Sequence, residues 1–109
     1  MVDVSTGDVY YGRNHGIERD HAKKNPILFG DGSSKGLLPN PSLNHYSVGN
    51  CAEEDAINKA LNAGASLSNL KVMTIHTTKK GFGKLKCACE NCTAAFKGNV
   101  AGSYSGWKW

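Results

Sequence analysis

The chain has 109 residues, with 13 Lys and Arg against 9 Asp and Glu, giving a formal net charge of +4. That length gives one small domain with a single core and no room for a second. At 39% hydrophobic and 20% charged residues the composition is that of a folded protein, and no apolar run approaches the ~20 residues of a membrane-spanning helix.

The opening Met1-Val2-Asp3-Val4-Ser5 has neither the basic nor the apolar stretch of a signal peptide. Alternation of Val2 and Val4, turn residues Ser5-Thr6-Gly7-Asp8 and the run Val9-Tyr10-Tyr11 together predict a hairpin. Gly12 and Arg13-Asn14-His15-Gly16 end its second arm. Residues 17 to 49 hold all three prolines, Pro26, Pro39 and Pro41, and show no sustained period. They are expected to form a long loop, of the kind that often covers a binding site. Asn50 is the expected N-cap of a helix whose Ala52, Ala56, Ile57, Ala60 and Leu61 form one apolar stripe, stopped by Gly64. Leu70 to Thr77 reads as a buried strand and Lys79 to Lys84 as a basic loop. Glu90 to Lys97 is predicted to be a short helix closed by Gly98, and one more edge strand is expected between Asn99 and Trp109. Strands alternating with helices imply an α/β fold, one sheet with helices packed on it.

Four cysteines carry the chemistry: Cys51 alone, and Cys87, Cys89 and Cys92 within six residues. A disulfide framework gains by closing long loops, and three of these lie too close together for that. A Cys-x-x-Cys turn aims both sulfurs at one ion, so the spacing suits a metal. Cys51, Cys89 and Cys92 would all fall at helix starts, where exposed N–H groups favour thiolates. Three thiolates can hold Zn²⁺ and leave its fourth position to water, the layout of a catalytic site. Glu53 lies two residues after Cys51 and could move the proton of such a water.

Cys51-Ala52-Glu53 with Cys89-Glu90-Asn91-Cys92 resembles the zinc-dependent nucleobase (cytidine deaminase-like) superfamily. The likeness is to bacterial polymorphic-toxin deaminases of the YwqJ-like type, which use Cys-Ala-Glu. Residues Asn50 to Ser66 and the opening Thr6-Gly7-Asp8-Val9-Tyr10-Tyr11-Gly12 share it. The resemblance implies a three-layer α/β/α sandwich with a mixed sheet of about four to five strands, spanning residues 1–109 as one deaminase domain. It implies Cys51, Cys89 and Cys92 as zinc ligands, Glu53 as the catalytic proton shuttle, and Asn14, the backbone of Ala52 and His45 as substrate contacts, with Tyr46 a further wall of the pocket. The reaction would be hydrolytic deamination of cytosine to uracil in nucleic acid, single-stranded DNA foremost because its bases are already unstacked. Double-stranded DNA, RNA, free nucleotides and adenine, attacked at C6, stay open as substrates. Such a domain is expected to be the monomeric C-terminal fragment of a longer secreted effector, with Met1 an added start. It would act in the cytoplasm of a target cell, have a cognate immunity protein as partner, and need no membrane. Ala88 stands where the family has proline before the first cysteine of the pair. Three thiolates also leave the ion more electron-rich than a His/Cys/Cys set.

Plainer readings compete at each position. Asn50-x-x-Glu53 is close to a capping box, in which the glutamate only ties down the helix start. All four cysteines could close a structural zinc site, making the chain a non-catalytic zinc-stapled nucleic-acid-binding module. His15, His21 and His76 are expected at the surface or packed on strands. Lys79, Lys80, Lys84 and Lys86 read as a solvated loop or, with Phe82 among them, as a surface that stacks an unpaired base and holds phosphates. Trp107 and Trp109 either close the core or face the substrate.

Overall fold

A computed structural model describes residues 1–33, 35–39, 41–76 and 81–109. Among them are three strands and four helices: β1 (Val2–Asp3), α1 (Gly16–Arg19), α2 (Pro26–Phe29), α3 (Ala52–Asn62), β2 (Leu70–Val72), α4 (Glu90–Phe96) and β3 (Gly102–Ser103). One 3₁₀ turn, Leu67–Asn69, leads into β2. The sheet is mixed, in the order β1-β2-β3, with β1 antiparallel and β3 parallel to the central strand. The α/β class is as expected, but the described residues make three strands where four to five were anticipated.

The shortfall has a physical origin in two places. In the first hairpin, Val9 meets Val2 in a single antiparallel bridge and Tyr10 donates to the Met1 carbonyl at 2.9 Å. Asp3 there accepts from the backbone and hydroxyl of Ser5, at 2.9 and 2.6 Å, in a local turn that replaces further pairing. Beyond β2, the N–H of Thr74 turns to the Ser105 hydroxyl at 3.1 Å, breaking the expected Leu70–Thr77 strand. Pairing resumes only as isolated bridges, Ile75 with Leu85 and His76 with Phe82. Thr77, Lys79 and Lys80, the end of that strand and part of the basic loop, lie outside the described residues.

Helix α3 is the axis of the fold. Ile57, Ala60 and Leu61 pack with Leu70 and Val72 of β2, Phe96 and Ala95 of α4 and Leu28 of α2 into one core. Gly64, at φ +95°, follows the helix in the left-handed conformation that ends such turns. Its opposite face is polar yet equally buried: Asp55 and Asn58 are fully enclosed. The cover is the aperiodic segment. Asn58 accepts from the Asn25 N–H and donates to the Lys23 carbonyl, both at 2.8 Å, while Asp55 accepts at 3.0 Å from the N–H of Arg13, ahead of that segment. Residues 17 to 49 are thus held by helix side chains bonded to loop backbone, which leaves no apolar period for the sequence to display. Their two short helices, α1 and α2, span four residues each, barely one turn. Among the described residues no helix is long and apolar enough to cross a membrane.

Candidate metal centre

Two helix starts converge. Cys51 is the N-cap of α3 and Cys89 the N-cap of α4, with Cys92 three residues into that first turn. The Sγ atoms of Cys51, Cys89 and Cys92 all lie within 4.8 Å of one another, and those of Cys51 and Cys89 are 3.0 Å apart. Tetrahedral coordination at ~2.3 Å per sulfur separates ligand sulfurs by about 3.8 Å, so the triad is of the right size and chemistry to hold a metal ion. Cys87 is exposed and stands outside this group. Hydrogen bonds with Cys51, then Cys92, hold the Cys89 thiol far below its ordinary value, while the bonds to Cys89 push Cys51 up.

A cavity of about 500 Å³ opens on two of the three cysteines, lined by Cys51, Cys89, Glu53, Ala52, Asn14 and Tyr46, and also by Thr74, His76 and Lys86. Glu53 is 8% exposed. Burial, and the charge on Cys89, raise its carboxyl above the usual range, while its own backbone N–H, Lys86 and the Thr74 hydroxyl act the other way. A buried carboxylate beside three thiols and a hydroxyl can take up and return a proton in that cavity.

Placing the N-cap at Cys51 rather than Asn50 reassigns the capping box. Glu53 becomes the second helical residue and Glu54 the third, and it is the fully buried Glu54 whose carboxylate accepts from the N–H groups of Gly49 and Cys51. Cys92 also approaches the Glu54 Oε1 at 3.8 Å, and burial pushes this carboxyl up to about 7. The role that competed for Glu53 thus belongs to its neighbour.

The substrate residues implied by resemblance separate. The Asn14 Oδ1 accepts from the Ala52 N–H at 3.1 Å, capping α3 from the end of the first hairpin. That bond engages the backbone donor of Ala52, which was expected to meet the base. His45 is exposed and is not among the residues lining the cavity, whereas Tyr46 beside it is. The Tyr46 hydroxyl lies 3.8 Å from the Cys51 Sγ. Burial raises its pKa and keeps the hydroxyl protonated. His76 lines the cavity too, while Trp107 packs on the core and Trp109 is exposed. Glu54, Thr74 and Asn91 went unnoticed in the sequence. Only Glu54 carried a local signal, an acidic residue three places after Cys51.

A second cavity, of about 450 Å³, shares Tyr46, His76, Lys86 and Cys89 with the first and continues to Lys108 and Glu90. Fold and site together define a small α/β domain with a candidate three-cysteine metal centre at the mouth of a groove. No protein-family model matches the chain, and no curated protein or solved structure is significantly similar to it.

Proposed function

We propose that this domain is a zinc-dependent hydrolytic deaminase that converts cytosine to uracil in nucleic acid, single-stranded DNA foremost, and that it serves as the toxic domain of a secreted effector. The proposal includes the α/β/α sandwich of the deaminases it resembles. One observation carries it: the Glu53 carboxylate shares a cavity wall with Cys51 and Cys89, two of three thiols gathered within 4.8 Å. Cys51, Cys89 and Cys92 would hold the ion, which when bound supplies Lewis-acid polarisation of a water. Glu53 takes a proton from the attacking water, whose oxygen adds to C4 of the ring. It passes that proton to N3, then carries the proton of the new C4 hydroxyl to the amino group, which leaves as ammonia as the C4–N bond breaks. Thr74 and Lys86 steady the carboxylate. Asn14, with its Oδ1 engaged by Ala52, would offer its amide nitrogen to the sugar.

The second cavity supports a polynucleotide over a free nucleoside. It prolongs the first past Lys86, a cation for a flanking phosphate, toward Lys108, which is paired with Glu90 at 3.7 Å. The deciding experiment incubates zinc-loaded chain and its Glu53→Gln variant with cytosine-bearing single strands, duplex, RNA and nucleotides, and measures uracil. Glu53→Gln should keep fold and zinc content and lose about 10²–10⁴ in rate. Undiminished activity of that variant would remove Glu53 from the chemistry, and no uracil from any substrate would end the deaminase reading.

A further inference from the structure

The geometry points to Tyr46 as a positioning and tuning residue for the metal centre, its hydroxyl set 3.8 Å from the Cys51 sulfur, where it would donate to the thiolate and draw charge from it. This rests on the triad being a metal centre and is independent of which reaction it serves. Three thiolates on one divalent ion give a net negative, electron-rich cluster, poorly disposed to polarise a ligand. A hydrogen bond to a coordinating sulfur offsets that, because the sulfur lone pair is shared with a proton instead of the ion.

The placement of Tyr46 is built, not incidental. It lies on a stretch with no helix or strand, five residues before Cys51, yet that stretch is fastened to the turn carrying the other two thiols. Ser42 Oγ donates to the Tyr46 carbonyl at 2.6 Å. Asn91, between Cys89 and Cys92 and fully buried, accepts from the Leu43 N–H at 2.7 Å and donates to Ser42 Oγ at 2.8 Å. The Asn91 N–H in turn donates to the Asn44 Oδ1 at 3.1 Å, and the Asn44 amide reaches the Glu90 carboxylate. Four bonds thus tie the Tyr46 strap to the cysteine turn, so the phenol and the thiols move as one unit. Tyr46 itself is 37% exposed, with its ring at the junction of the two cavities and its hydroxyl at the sulfurs. A ring needed only as a wall would not need that hydroxyl.

The test is Co²⁺ titration of the metal-stripped chain, read by thiolate-to-cobalt charge-transfer absorption, for wild type, Tyr46→Phe and Ser42→Ala. Wild type should show an intense charge-transfer band of tetrahedral thiolate coordination. Tyr46→Phe should keep its circular dichroism, bind Co²⁺ about tenfold more weakly because the sulfur loses the group that orients it, and shift the band to lower energy, since a sulfur without its hydrogen bond gives up charge more readily. Ser42→Ala, which loosens the strap without touching the phenol or a thiol, should shift the band the same way by less, and serves as the readout should Tyr46→Phe fail to fold. A Tyr46→Phe spectrum and affinity superimposable on wild type would overturn the role of Tyr46 while leaving the metal centre intact. Absence of any charge-transfer band in wild type would overturn both.

Discussion

Gly12 is where the first hairpin touches the helix that carries the site, and replacing it with alanine should be severe. A Cβ there would run into the Ala52 carbonyl oxygen and the Ala56 backbone nitrogen and stand 2.9 Å from the Ala56 Cβ. Two carbons rest at ~3.5–4.0 Å, so the segment must retreat by about 1 Å. Two of the three obstacles are backbone, so no rotamer change relieves them. Overpacking of this kind costs ~1–3 kcal/mol. The retreat also pulls Asn14 from the Ala52 N–H, a 3.1 Å bond whose loss adds ~1 kcal/mol. Gly12→Ala should therefore destabilise by about 3 kcal/mol, lowering Tm by roughly 12–20 °C in a domain of this size. Thermal unfolding followed by far-ultraviolet circular dichroism measures it. Gly32→Ala is the control, since a Cβ at Gly32 meets nothing within 4 Å. If Gly12→Ala melts within about 2 °C of wild type, the hairpin does not lie on the start of α3 and the cavity wall built from it is wrong.

Three further outcomes are expected. Cys87→Ser should leave metal content per chain unchanged and stability within about 0.5 kcal/mol, because Cys87 is exposed and apart from the triad; a fall in metal content would make it a ligand and revive the closed site. Asn91→Ala should cost about 1–3 kcal/mol by removing a buried amide that bonds the Leu43 N–H and the Ser42 hydroxyl, with faster hydrogen exchange at residues 42–46; unchanged exchange there would show that the strap is held by something else. Asp3 is kept below the ordinary carboxylate range by the Ser5 hydroxyl and backbone N–H. A lowered folded-state pKa stabilises above the unfolded value, here near 3.8, and that contribution disappears as pH falls through the folded value. Asp3→Asn should flatten that part of the acid limb, as denaturant titrations between about pH 5 and 2 would reveal; identical pH profiles would refute it.

What sequence alone determined is what short-range spacing can encode. The apolar stripe of α3, its stop at Gly64, the cysteine turn before α4 and the edge strand near the C-terminus are each written in a few consecutive residues. So is the pairing of Cys89 with Cys92, because sulfurs three residues apart at a helix start share one side of it, whereas Cys51, 38 residues earlier, joins them only in the fold. Tertiary structure decided the rest. Moving the N-cap by one residue, from Asn50 to Cys51, exchanges the parts of Glu53 and Glu54, and such a shift is set by what packs on the helix start, not by local preference. Residues 17 to 49 are fastened through Asn58, 33 residues away from its partner Asn25, so no window of neighbours could foretell their path. Tyr46 reaches the thiols only because Asn91, 45 positions later, fastens its loop through Ser42 and Leu43. Hydrogen bonds between distant segments leave no periodic trace along a chain, and here they draw tyrosine, glutamate and three sulfurs to one place.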